Sequence, residues 1–436
     1  MDNKKRNVMA LLPIFVFLAL YIGAGVYFEY ISPVQGKMGF YVVSTVVAFM
    51  AALAVALLQN RKMSFDDKIK VCAKGIGDEN ITIMLFIFLL AGAFGGIAKA
   101  AGGAVSTANL LLSIIPDNFA VPGLFLVACI ISIAMGTSVG TITVLAPIAA
   151  SVSESGGYPL ALCVATVVGG AMFGDNLSFV SDTTIAATKT QGVEMRDKFF
   201  ANIKIALPAA VITLALLVIM SIGGSGAHVG QYEYNIIQTI PYFAVIVLAL
   251  LGINVLVVLG IGIGLFALFG ALTGSIDFVS AFSSMSEGTT AMFETMIVTI
   301  LVSSIGALIR ANGGFEAILS FIRRHLHGKR GGMIGIALLT SFLDIATANN
   351  TVAIVMAAPI AKEISDEYGI EPKKTASLLD TCSCIMQGVI PYGAQLLIAA
   401  SLTGITSLQI MPLLFYPFIL AVFVILSIIF DRTKTK

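Results

Sequence analysis

Apolar residues run in long blocks along this chain, separated by short polar segments from one end to the other. Blocks of about 18 or more residues with almost no charge are what a helix needs to cross a bilayer. The pattern predicts spans at 8–28, 38–58, 81–98, 159–188, 205–221, 237–251, 253–272, 291–309, 375–400 and 408–430. The first follows a basic head, is too long for a signal-peptide core and lacks a small-x-small cleavage site, so it is expected to be retained. Two further apolar stretches are interrupted at their centres, 121–152 by "GTSVGT" and 333–361 by "TANNT". Both are expected to be re-entrant hairpins, because reading either as a simple span would put a basic loop on the wrong side of the membrane.

Composition agrees with the pattern. Of 436 residues, 58% are hydrophobic and 11% charged, which excludes a soluble globular domain, whose exterior must be wetted. The formal net charge of +1 gives no reason to expect nucleic acid. Cys72, Cys129, Cys163, Cys382 and Cys384 fit neither a zinc nor a redox spacing and read as small buried hydrophobes. Of the three histidines, His228, His325 and His327, the last two sit in "RRHLHGKR", which reads as a basic surface loop. The chain has no GxxxxGK[ST] loop, so ATP-driven pumping is not expected.

An internal repeat organises the rest. "GIAKAAGG" at 96–103 recurs as "ALIRANGG" at 307–314, "VLAPIAASVSESGGY" at 144–158 as "VMAAPIAKEISDEYG" at 355–369, and "SDTTIAAT" at 181–188 falls on "AQLLIAAS" at 394–401. The halves are 1–225 and 226–436. Loop 59–80 carries Arg61, Lys62, Lys68, Lys70 and Lys74, whereas its partner, 273–290, has Asp277 and Glu287 and no base. Loop 310–332 is basic and its partner, 99–120, has only Lys99. The signs invert, so the expected fold is an all-α polytopic membrane protein of two inverted-topology repeats. It has about ten transmembrane helices and two re-entrant hairpins, with helices broken at the midplane. Lys189, Arg196, Lys198 and Lys204 then fall on the cytoplasmic side with both termini, and the expected location is the cytoplasmic (plasma, or cell inner) membrane.

Irregular backbone at membrane depth is tolerated only where it is buried in protein or lines a polar cavity. Four stretches look like such breaks, 136–141, 174–184, 347–351 and 380–395. They offer Thr137, Ser138, Asn176, Ser178, Thr183, Asn349, Asn350, Thr351 and Gln395, oxygen donors suited to a small hard cation. The interior also keeps Asp175, Asp182, Asp344 and Asp380, and an aspartate there costs about 2.5–3.5 kcal/mol on insertion scales. None of the four breaks contains Lys or Arg, so the expectation is a negatively charged interior waiting for a mobile cation. Lys99 and Arg310, at equivalent span ends, are expected to snorkel to the interface.

"GTSVGT" at 136–141 and "GDNLSFVSDTT" at 174–184 resemble the paired motifs of NhaC-type sodium/proton antiporters, the second of which typically reads Gly-Asp, a short gap, then Ser-Pro-Ile-Ser-Asp-Thr-Thr. "LLDTCSCIMQGVIPYGAQLL" at 378–397 is similar to them too, and "NNTVAIVMAAPIA" is similar to the Ser-Asn-Thr tips of sodium-coupled transporters in the wider ion transporter superfamily. The resemblance implies that Asp175, Ser178, Asp182 and Thr183 belong to an ion site, with Na+ on Asp175 and Asp182. Phe179 stands where the family usually has Pro and Val139 where it usually has Trp, and either could reshape the cavity and the cargo.

The function expected is sodium/proton antiport, with Na+ and H+ competing for the buried aspartates. The alternative is a sodium-coupled transporter or exchanger of a small organic acid or amino acid. An intramembrane aspartyl protease, a third class, would leave the repeat unexplained and would hold both aspartates in one segment. The expected partners are the lipid bilayer, Na+ and protons, with a small organic substrate and a homodimer left open. No enzyme activity, nucleic acid or resident cofactor is expected.

Overall fold

The apolar blocks fold as helices, and no strand forms among the described residues. The computed structural model describes residues 6–32, 34, 42–116, 119–221, 233–251, 253–391 and 393–431. His228, residues 38–41 of the second predicted span, and the boundary between the halves at 225 lie outside the described residues.

Chain order in the first half is α1 (Leu12–Val26), α2 (Thr45–Leu58), α3 (Phe65–Ile76), α4 (Glu79–Ala100), α5 (Gly103–Ser113), α6 (Ala120–Met135), α7 (Ser138–Gly156), α8 (Leu160–Leu177), α9 (Asp182–Gln191) and α10 (Met195–Ser221). The second half continues with α11 (Ile236–Leu250), α12 (Val255–Thr273), α13 (Phe278–Ala291), α14 (Phe293–Ala311), α15 (Gly314–His325), α16 (Gly328–Thr347) and α17 (Asn350–Tyr368). It ends with α18 (Pro372–Val389), α19 (Ala394–Thr403), α20 (Ser407–Ile410) and α21 (Phe415–Ile429). Helices α17, α18 and α19 begin and end 212 residues after α7, α8 and α9 (138 to 350, 177 to 389, 191 to 403). The sequence repeat is therefore also a repeat of helix boundaries.

Seven helical segments among the described residues are long and apolar enough to cross a membrane, or eight if a bent pair at the C-terminal end is one span. Shorter apolar helices, Thr45–Leu58, Ala120–Met135, Ser138–Glu154 and Ile236–Ala249, accompany them. Large apolar side chains such as Phe15, Phe86, Leu338 and Phe342 face outward, as a lipid-facing surface requires. This is an integral membrane protein. Its centre is the segment Leu160–Gln191, whose most apolar window is 89% buried, against 28–47% for the other spans.

Close backbone approach builds that centre. Gly170 and Gly174, four apart on α8, face α6, where an added Cβ would meet Phe125 and Ala128 or Ser132 and Ile133. Small residues at this spacing let membrane helices pack at van der Waals distance. Both predicted hairpins appear as helix pairs with two-residue links. Met135 ends α6, Gly136 turns left-handed (φ 69°), and Thr137 caps α7 by accepting from the Gly140 amide. Thr347 ends α16, Ala348 turns left-handed (φ 50°), and Asn349 caps α17 by accepting from the Val352 amide. The caps share nearly the same backbone, Thr137 at φ −151°, ψ 120° and Asn349 at φ −151°, ψ 109°.

The charged segments read as loops are in part short helices. Ser64 opens α3 by accepting from the Asp67 amide, and Asp277 opens α13 in a capping box with Ser280. Helices α5 and α15 fill the other pair of loops. Their apolar faces repeat at helical period but are too short to register as spans. Lys99 is exposed, as snorkelling requires, while Arg310 pairs with Glu363 at 3.1 Å and stacks over Phe315. All five cysteines are buried and free.

The two links make unequal demands. A Cβ on Gly136 would lie 2.5 Å from Val180 Cγ2 and 2.8 Å from the Val180 carbonyl carbon, on a left-handed backbone costing about 1–2 kcal/mol for an L-residue. Gly136→Ala should therefore lower the thermal unfolding midpoint of the purified protein by several degrees and depress transport. Ala348→Gly trades relieved strain for lost chain entropy and should leave stability within about 1 kcal/mol.

Candidate ion site

Four helix breaks deliver their side chains to one place. Besides the hairpin links at 136–137 and 348–349, α8 stops at Leu177 and resumes as α9 at Asp182, and α18 stops at Val389 and resumes as α19 at Ala394. These gaps are shorter than the sequence suggested, so Asp175, Asn176, Thr183, Thr351, Asp380 and Gln395 all sit on helix.

Asp175, only 2% exposed in the last turn of α8, is answered from three directions. Its Oδ1 accepts from the Ser181 hydroxyl at 2.5 Å. Its Oδ2 accepts from the Ser138 hydroxyl at 2.9 Å and from Asn350 Nδ2 at 3.3 Å. Asp182 occupies the first turn of α9, where the helix dipole favours a negative charge. It accepts from the Thr351 hydroxyl at 2.7 Å and the Thr183 amide at 3.0 Å. An amide relay supports the arrangement, with Gln387 Nε2 donating to Gln395 Oε1 at 2.8 Å and Gln395 Nε2 to the Ser138 hydroxyl at 3.1 Å. Gln387 also donates to the Ala348 carbonyl at 3.1 Å, tying the relay to the hairpin link.

A cavity of about 310 Å³ opens over these groups. Thr137, Ser138, Asp175, Asp182, Asn349, Asn350 and Gln395 line it, and Thr351 reaches it through Asp182. Exposed Glu294, in the first turn of α14, also lines it. The remaining predicted residues point elsewhere. The Ser178 hydroxyl donates to the Ile133 carbonyl, joining α8 to α6, and Thr183 shares a hydrogen bond with Ser181. The Asn176 amide donates to Met172 and to the Tyr416 hydroxyl. Asp380 lies away from the cavity, in an ion pair with Lys198 at 2.8 Å. Asp344 is fully buried in α16, with neither carboxyl oxygen hydrogen-bonded among the described residues.

Lys198 corrects the expectation of an interior without a resident cation. Lys204 and Arg196 are exposed, but Lys198 is 1% exposed and donates to the Asn176 carbonyl at 2.7 Å and the Thr184 hydroxyl at 2.6 Å as well as to Asp380. The signal was present. Lys198, Asn202, Ile205 and Ala209 recur at helical spacing and are all buried on α10, which starts at Met195, ten residues before the predicted span. Charge at 196–204 masked the helix start from a hydropathy reading. Gln387, one turn beyond Ser383 on α18, was also missed because an isolated amide carries no pattern.

The family model described as "Na+/H+ antiporter family" matches residues 6–222 and 229–431. The chain belongs to this family. The malate-2H(+)/Na(+)-lactate antiporter of Bacillus subtilis (strain 168) is 23% identical to it over 93% of this chain and 90% of that protein. The Na(+)/H(+) antiporter NhaC of the same organism is 24% identical over 84% of this chain and 88% of that protein. Among solved structures, the Alcanivorax borkumensis YdaH transporter superposes with a TM-score of 0.64 at 11% identity, covering 97% of this chain and 98% of that one. The chain thus shares the fold of that protein, and the family marks this member as a secondary antiporter.

Glu294 gives the cavity an exposed carboxylate that raises the local concentration of cations. Glu294→Gln should raise the Na+ concentration for half-maximal transport about two- to threefold at low ionic strength. The difference should vanish in about 1 M inert salt, where the screening length is near 3 Å. Equal Na+ dependence of the two proteins at low salt would remove Glu294 from the entry path.

Proposed function

We propose that this family member exchanges Na+ for H+ across the plasma membrane, the two ions competing for Asp175 and Asp182. The supporting observation is a pair of buried acidic side chains lining one cavity and hydrogen-bonded by hydroxyls and amides, with the ammonium of Lys198 turned to Asp380. A carboxylate accepts either a proton or a hard cation, and hydroxyl and amide oxygens complete a shell for the latter. Ser138, Asn350, Thr351 and Gln395 would supply that shell, with Thr137 and Asn349 at its rim. In this reading the halves 1–225 and 226–436 are inverted repeats. About ten spans and two re-entrant hairpins, α6–α7 and α16–α17, hold the breaks near the midplane, and both termini are cytoplasmic. Rocking of one repeat against the other would expose the cavity to each side in turn.

The cavity volume favours a second reading, sodium-coupled exchange of a small organic acid. A water molecule's share of liquid is about 30 Å³, so about 310 Å³ exceeds what a bare ion fills. The relative named as a malate and lactate antiporter fits that reading.

Proteoliposomes separate the two. Sodium-dependent proton movement should occur without organic acid, and Asp175→Asn and Asp182→Asn should each abolish it while leaving the protein folded. If one proton competes with one Na+, apparent Na+ affinity should rise with pH by up to tenfold per unit, about 1.4 kcal/mol, while the competing proton is bound. An affinity flat with pH, with transport appearing only when an organic acid is added, would establish the second reading. Wild-type rates in both variants would move the ion site elsewhere, with Asp344 the next candidate.

The orientation has its own check. Single cysteines placed at Asp66 and Lys329 should react with an impermeant reagent only from the cytoplasmic side, and one at Asp277 only from outside. Labelling of positions 66 and 277 from the same face would overturn the inverted repeat.

A further inference from the structure

The ammonium of Lys198 sits among ligands chosen like those of the cavity. Its three protons go to a carboxylate oxygen (Asp380 Oδ2), a backbone carbonyl (Asn176) and a hydroxyl (Thr184). Two of these belong to the elements that carry the proposed ion site, since Asn176 follows Asp175 and Thr184 is two residues past Asp182. Asn202, one turn along α10, donates to the same carbonyl at 2.9 Å and the same carboxylate oxygen at 2.7 Å. Acceptors nevertheless exceed donors. Asn176 Oδ1, Asn202 Oδ1 and Asp380 Oδ1 are buried with no hydrogen-bond partner among the described residues. An ammonium has only three directed protons, whereas a bare cation can draw on every oxygen around it. A carboxylate, a carbonyl and a hydroxyl converging on one charge are the ligands of a cation pocket filled by a side chain. The other half has no counterpart, since the positions 212 residues from Lys198 and Asp380 are Ile410 and Val168, both buried.

We propose that Lys198 is a tethered cation, filling a second monovalent-cation pocket formed by Asp380, the Asn176 carbonyl and the Thr184 hydroxyl directly behind the exchanging site. The arrangement keeps the second pocket permanently occupied, so only the cavity site exchanges its ion. The inference deepens the reading of Asp175 and Asp182 as that exchanging site.

Saturation binding of radioactive Na+ to purified protein at alkaline pH provides the test. Lys198→Met should bind one more Na+ per chain than the native protein, and Lys198→Met/Asp380→Asn should return to the native number. The single variant should also be stabilised by Na+ over choline, by a larger shift in unfolding midpoint than the native protein shows. Recovery of folded Lys198→Met only in Na+ buffer would support the proposal in the same way. A folded Lys198→Met that binds the native number overturns it, as does a variant unrecoverable in Na+ and choline alike, which would make Lys198 a structural brace. Asp175→Asn run alongside keeps the readings apart. Loss of the native Na+ in that variant tests the cavity site, while the increment on Lys198→Met tests the pocket behind it.

Discussion

A carboxylate in the most buried helix of a membrane protein has to be answered by donors, and the answer to Asp175 organises this fold. Ser181, Ser138 and Asn350 each stand at or beside a different helix break, and each donates to it. Leaving a buried polar group without its partner costs about 1–3 kcal/mol, more for a charge, so the breaks and the carboxylate hold one another in place. The closeness this needs comes from glycine. Gly136 lies against Val180 and the Ser181 amide, and Gly170 and Gly174 bring α8 onto α6, so the first two breaks cross without intervening side chains.

Much of that centre was legible beforehand, for physical reasons. Hydropathy finds helices where lipid demands them, and a cluster of Gly, Ser, Thr and Asn that interrupts such a block favours an irregular backbone. That logic located all four breaks, and "GTSVGT" and "TANNT" became hairpin links of matching geometry. It overstated their length, because a helix N-terminus can present a side chain to a cavity without unwinding, as Asp182 and Thr351 do. Hydropathy also discards charged residues at helix starts. Lys198 disappeared in that way, and with it the partner that takes Asp380 out of the cavity.

The ion pair and the cavity are held by different energetics, although they share a helix end. Lys198 and Asp380 are both essentially unexposed, and removing one member of such a pair costs roughly 3–5 kcal/mol. That makes the pair a fixed element across α8, α10 and α18. Asp175 and Asp182 face a cavity with a wet mouth and accept from neutral donors only, each worth about 0.5–3 kcal/mol depending on charge. Under the proposed function this is the required contrast, since a site that must release its cargo cannot be sealed by a resident counter-charge.

The second half of the chain answers the first with amides. Positions 212 residues after Asp175, Asp182 and Ser138 are Gln387, Ala394 and Asn350, so acid is replaced by amide or removed while the helix boundaries stay the same. An amide carries a donor and an acceptor on one rigid group, which neither a carboxylate nor an ammonium does. Asn350 and Gln395 turn their nitrogens toward Asp175 and Ser138, and their oxygens face the Thr351 amide and Gln387. Rotation of either side chain would exchange the two ends and offer oxygen to a cation without bringing in a new charge. Under the proposed function, these two amides can face Asp175 and Ser138 whether the site holds a cation or a proton. Under that reading, further carboxylates at Asn350 and Gln395 would add repulsion to Asp175 and Asp182, and bases there would fill the site.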